Sequence, residues 1–275
     1  MIGDIIQRIR NKIARELRKG YRKGVPRQLQ TTFEEQDSNW YEHKPLLAGP
    51  STFQRDCSSA ETASAVLSLL QQLTPDIFIE FNIQYCRTGL QRFGDRWNYA
   101  DILTVLYGIC KNIKVKSYME IGVRRGRSLC IVAALHNDVK ILGFDLWVPD
   151  YVGIENPGPA FVEEELKKVG YKGEVEFITG NSKYTVPKYF GDNPDAYFDL
   201  ITVDGDHSAR GAEIDLKNVI PRVKVGGFLV FDDISNPDHI YLKEVWERVI
   251  VGSGRFLTHS FDGLGYGVAF GIKKY

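Results

Sequence analysis

Seven short apolar runs, separated by stretches with helical spacing, fill the C-terminal part of the chain. They are VKSYMEI (115–121), VKILGFD (139–145), VEFIT (175–179), YFDLITVD (197–204), GGFLVFDD (226–233), RFLTHSF (255–261) and GYGVAFGIKK (265–274). Between the first five lie helix-like segments at 127–136, 160–169, 182–190 and 210–222, and another at 239–251 follows the fifth. Strict alternation of this kind predicts an α/β chain with a parallel sheet, right-handed crossovers and helices on both faces. The last two runs are joined by Asp262-Gly263-Leu264, too short for a helical crossover. They are expected to form an antiparallel hairpin at the sheet edge.

Upstream, SAETASAVLSLLQQL (59–73) and WNYADILTVLYGICKN (97–112) read as helices, the first capped by Ser58 or Ser59. Residues 24–58 are polar and broken by Gly24-Val25-Pro26 and Ala48-Gly49-Pro50. At the start, Ile2, Ile5, Ile6, Ile9, Ile13 and Leu17 recur every three or four residues, as on one face of a helix. Residues 1–24 hold eight basic and two acidic side chains, a local charge of +6 in a chain whose 35 basic and 35 acidic residues cancel overall. Such a basic amphipathic helix suits packing on a partner subunit, making a homo-oligomer, or peripheral contact with an anionic membrane. The organisation expected is a basic helix over 1–24, an extension over 25–96 that could serve substrate or oligomer contacts, and an α/β domain over 97–275.

Composition narrows the function classes. Hydrophobic residues at 43% and charged residues at 25% describe a globular chain, which excludes disorder. No run reaches the ~18–20 apolar residues of a membrane span, and charges interrupt the N-terminus too often for a signal peptide. Cys57, Cys86, Cys110 and Cys130 form no CxxC pair, so reduced thiols in a cytoplasmic protein are expected. Outside residues 1–24 the chain is net acidic, which argues against nucleic acid as a partner.

The first chemical signal is the turn Glu120-Ile121-Gly122-Val123-Arg124-Arg125-Gly126-Arg127-Ser128, placed between a predicted strand and a predicted helix. Glycines here allow a tight turn and close backbone approach, and the helix start offers free N–H groups to an anion. The next strand ends in Asp145, placed to hold ribose hydroxyls. A dinucleotide turn has glycine where Arg124 stands, and Glu120 suits a ligand bearing a cationic amine better than a pyrophosphate. With Gly180-Asn181-Ser182 after the third run and the terminal hairpin, these residues resemble the class I S-adenosylmethionine-dependent methyltransferases over roughly 97–275. The resemblance implies a Rossmann-like, doubly wound, mostly parallel seven-stranded sheet with a C-terminal antiparallel hairpin, preceded here by a helical N-terminal extension. It implies S-adenosyl-L-methionine bound by Glu120, Gly122, Gly126 and Ser128 at its methionine end, by Asp145 at the ribose, and by Asn181 and Ser182 near the adenine.

The second signal is acidic. The fourth run ends Asp204-Gly205-Asp206-His207 and the fifth ends Asp232-Asp233. In a doubly wound sheet these ends lie side by side above the ligand crevice. Carboxylates so crowded repel, and either one takes a proton or a cation joins them. Oxygen donors favour magnesium, calcium or manganese. The pattern resembles the methyltransferases that act on sugar hydroxyls in macrolides and aminocoumarins. That resemblance implies Mg2+ held by Asp204, Asp232 and Asp233, a general base at His207 or Asp206, contact between Asp204 and the cofactor, and a small-molecule or glycoside acceptor. Other readings stay open: a catechol-like phenol or sugar amine as acceptor, a nicotinamide-dependent oxidoreductase, or a non-catalytic binding module. Asp232 and Asp233 also suit a helix cap, and His43, His136, His239 and His259 read as structural or surface residues.

Overall fold

The computed structural model describes residues 48–151 and 153–275. The expected helix over 1–24 and most of the polar stretch after it lie outside the described residues. From Pro50 the chain forms α1 (Pro50–Ser58), α2 (Ala60–Leu70), α3 (Ile77–Phe93) and α4 (Ile102–Asn112). It then alternates: β1 (Ser117–Ile121), α5 (Arg127–Leu135), β2 (Lys140–Asp145), a short hairpin of β3 (Asp150–Tyr151) and β4 (Ile154–Glu155), α6 (Pro159–Lys168), β5 (Val175–Thr179), α7 (Ser182–Asp192), β6 (Phe198–Val203), α8 (Ala209–Val219) and β7 (Val223–Asp232). Helix α9 (Tyr241–Trp246) runs on through a π-helical turn to Val251, and β8 (Phe256–Phe261) and β9 (Val268–Lys273) end the fold.

The sheet order is β5-β2-β1-β6-β7-β9-β8. The pairs β5/β2, β2/β1, β1/β6 and β6/β7 are parallel, and β9 runs antiparallel to both β7 and β8. Strand order reverses between β1 and β6, so the crevice of this doubly wound sheet opens above their C-terminal ends. Two-residue alternation along each strand builds two cores. Tyr118, Leu200, Phe228 and Val230 face α1, α2, α4 and α5. Their neighbours Met119, Ile201, Leu229 and Phe231 face α7, α8 and α9.

The N-terminal helices differ from the sequence expectation. Residues 50–58, read as polar coil, form α1, with Pro50 at its first turn and Phe53 buried edge-on against Phe228 at 4.8 Å. A single buried aromatic anchors this helix, so its mean hydropathy gave little signal. Helix α4 begins at Ile102, five residues later than read, because Asp101 and Thr104 form a reciprocal capping box. Ser59 caps α2 by accepting from the Thr62 N–H. No described helix is long and apolar enough to cross a membrane.

Candidate active site

Backbone strain marks the crevice before any side chain is considered. Among the described residues the non-glycine positions with left-handed φ are Arg124 (52°), Trp147 (51°) and Asp233 (63°). They follow β1, β2 and β7, so all three sit at the C-terminal ends of strands. Such conformations cost of order 1–3 kcal/mol each and persist where the surroundings over-determine them, as at binding sites.

The glycine turn is shaped by contact. Gly122 has φ 93°, and a Cβ there would come 1.9 Å from the Asp204 carbonyl oxygen. Gly126, at φ 74°, serves as the N-cap of α5, and a Cβ would strike Val162. Asp145 Oδ2 accepts from the Arg124 N–H at 2.7 Å and Oδ1 from the Trp147 N–H at 2.5 Å, so its carboxylate is fixed at the mouth of the turn. Glu120 is 1% exposed and accepts from Tyr118 Oη at 2.5 Å and from Ser128 Oγ. Burial pushes its carboxyl up to about 8, the two hydroxyls pull the other way, and the charges of Asp204 and Asp145 add to the rise. A cationic ligand amine would reverse that shift.

Asn181 and Ser182 serve the local backbone first. Asn181 Oδ1 caps α7 by accepting from the Lys183 N–H, and Ser182 Oγ donates to Asp215 Oδ2 at 3.1 Å. Asp215 is almost fully buried on α8, and burial raises its carboxyl to about 6. Sequence reading missed it, because an acidic residue on an amphipathic helix looks like a solvated face.

Across the switch point the acidic cluster assembles around an imidazole. His207 Nε2 lies 3.2 Å from Asp204 Oδ1, and Nδ1 lies 3.5 Å from Asp233 Oδ2. One donor atom from each of Asp204, His207 and Asp233 lies within 4.8 Å of the other two. The hydrogen bond to Asp204 raises the His207 imidazole above its usual value, against the opposing effect of burial. Burial raises Asp233, the charge of Asp204 raises it further, and His207 opposes the rise. Asp232 is pushed well above the carboxylate range by burial, then by Asp204 and Asp233. Asp232 is thus coupled to the group without being one of its three clustered donors.

Asp206 is turned elsewhere. Its Oδ1 accepts from the Ser208 N–H at 2.8 Å, and its side chain packs against Gly211 at the start of α8. Further residues missed in the sequence complete the setting. Asp101, the cap of α4, accepts from Tyr99 Oη at 3.1 Å and adds its charge to the field at Asp232. Tyr241 Oη donates to the His207 carbonyl at 2.9 Å and pairs with His239 Nδ1 at 3.0 Å. The His239 ring lies 5.2 Å from that of His207. The signal available was its place six residues beyond Asp233, in the loop leaving β7.

Residues 119–234, which span the turn and both acidic strand ends, match the family model described as a methyltransferase domain. The region that carries the candidate site is thus similar to methyltransferase domains. Among solved structures, this chain resembles the O-methyltransferase TomG from Streptomyces achromogenes, involved in tomaymycin synthesis and solved with S-adenosylmethionine. They share 18% identity over 74% of this chain and 92% of that one, with a TM-score of 0.52. An O-methyltransferase from Bacillus cereus in complex with S-adenosylhomocysteine is 13% identical over 83% and 93%, with a TM-score of 0.50. The calicheamicin methyltransferase CalS11 is 20% identical over 86% and 97%, with a TM-score of 0.49. At these identities the likeness is one of fold. No curated protein matches the chain.

Proposed function

We propose that this methyltransferase transfers the methyl group to a hydroxyl oxygen of a sugar, on a glycoside, a natural product or a surface polysaccharide, with a divalent cation at the acidic cluster. The observation that carries the reading is the gathering of Asp204, His207 and Asp233 beside the glycine turn, with Asp232 feeling the charges of both aspartates. The donors fit a hard cation, because the group is rich in carboxylate oxygen and its acids are raised by mutual repulsion and burial. Asp204 and Asp233, with Asp232 adjoining, would hold Mg2+. There it would supply positive charge that lowers the pKa of two neighbouring acceptor hydroxyls.

The remaining work falls to the chain itself. Gly122 and Gly126 let the backbone approach the methyl donor, Asp145 orients its ribose, and Glu120 with Ser128 faces its amine. Asn181 and Ser182 border the adenine. His207 takes the proton from the acceptor hydroxyl, which suits an imidazole near neutrality. Asp206 supports the loop from its bond to Ser208 and is the weaker candidate for that base. A vicinal diol is the acceptor feature that best matches such a group. The resemblance of DGDHS and GGFLVFDDI to the sugar-modifying methyltransferases supports the same acceptor class.

The test is transfer of labelled methyl from S-adenosylmethionine to a panel of nucleotide sugars, glycosides and catechols, with and without EDTA. Labelled sugar ether formed only with divalent cation is the expected result. Transfer to catechols alone replaces the acceptor, and full transfer in EDTA removes the cation.

A further inference from the structure

Three arginines, Arg124, Arg125 and Arg127, crowd the glycine turn. Arg125 is the most constrained. Its guanidinium is buried, with Nε 3.0 Å from Asp76 Oδ2 and Nη1 donating to the Glu155 carbonyl at 3.0 Å. Its flat face lies over the Phe161 ring at 4.3 Å. Asp76 in turn caps α3, its Oδ1 accepting from the Phe78 and Ile79 N–H groups at 2.9 and 2.8 Å. The Phe78 ring lies under Arg124 at 4.5 Å. One buried side chain of the turn therefore ties together the start of α3, the end of β4 and the start of α6. Both α3 and the β3–β4 hairpin lie outside the seven-stranded sheet, and Arg125 and Arg124 bring them against the glycine turn.

We propose that Arg125 is a positioning residue that links the state of the cofactor turn to the wall of the acceptor crevice. The inference rests on S-adenosylmethionine lying against residues 122–126. A ligand that settles that turn fixes Arg125, and Arg125 fixes Asp76 and Glu155 with it. Arginine is needed because a planar fork sends two donors in different directions while stacking on an aromatic ring, which a lysine ammonium does not do.

Hydrogen exchange on the full chain tests the link, with S-adenosylhomocysteine as the probe. Asp76→Asn keeps a good cap but loses the ion pair, and Arg125→Lys keeps the charge but loses the fork. In the wild type, saturating S-adenosylhomocysteine is expected to slow exchange about tenfold over 76–80 and 154–158 as well as over 122–130. In both variants the slowing remains over 122–130 and disappears from the two distant segments. Slowing that survives at 76–80 and 154–158 in both variants overturns the proposal, as does its absence there in the wild type while 122–130 responds. No response anywhere in the wild type overturns the cofactor site, and this inference falls with it.

Discussion

The two ends of strands β6 and β7 carry buried acids in opposite circumstances. At the N-terminal end, Asp199 is 1% exposed, and every oxygen is answered. Oδ2 accepts from the Lys116 and Ser117 N–H groups and from Ser117 Oγ, and Oδ1 pairs with Lys224 Nζ at 2.9 Å. At the C-terminal end, Asp204 and Asp233 share one imidazole between them, and Asp232 is raised by burial and by the charges of both. The same strands thus hold a compensated acid at one end and under-compensated acids at the other. A buried charge with a full set of partners holds the fold together, whereas a group that lacks them is maintained for something that arrives later.

This contrast is sharpened most by removing each kind of acid in turn. Asp199→Ala leaves the half-buried Lys224 without its ion partner and the Lys116 and Ser117 N–H groups without their acceptor, and is expected to cost about 3–5 kcal/mol in urea unfolding. Asp232→Asn removes a repelling carboxyl, so it is expected to raise the melting temperature of the metal-free protein, the opposite sign. Its advantage grows with pH. A carboxyl raised in the folded state is protonated there while the unfolded chain is ionised, so wild-type stability falls as pH rises from about 4. Equal losses in the two variants would break the contrast.

Glu120 gives a smaller effect with a defined window. With its folded value at about 8, the cofactor-free wild type should lose stability relative to Glu120→Gln as pH rises from about 5 to 8, and the gap should stop growing above that. Thermal melts across pH measure this difference, and parallel curves would remove the buried-acid reading. The smallest effect is expected at Tyr241. Tyr241→Phe loses the bond to the His207 carbonyl and should cost about 0.5–1.5 kcal/mol, read from denaturant midpoints.

Much of this architecture is legible in the residues, and the reasons are physical. Period-two runs such as VEFIT and the helical segments between them have strong signatures, and β5 falls on the same residues as read. The glycine turn, Asp145 and the acidic strand ends announce themselves because few structural roles need those residues there. Helix α1 stayed hidden because it is anchored by Phe53 amid polar neighbours, and α3 because Tyr85, Cys86 and Gly89 face a small satellite core rather than the main one. Asp101, Asp215, Tyr241 and His239 gain meaning only from packing that brings distant segments together. Asp232 enters the donor set through the resemblance, whereas the donor atoms that lie within 4.8 Å of one another come from Asp204, His207 and Asp233.

Calorimetric titration of Mg2+ into protein saturated with S-adenosylhomocysteine addresses the acidic cluster itself, with no need to know the acceptor. The account predicts one saturable site per chain in the wild type that vanishes in Asp233→Asn, while Asp199→Asn, if folded, keeps it. Absence of any divalent-cation binding in the wild type would contradict the account.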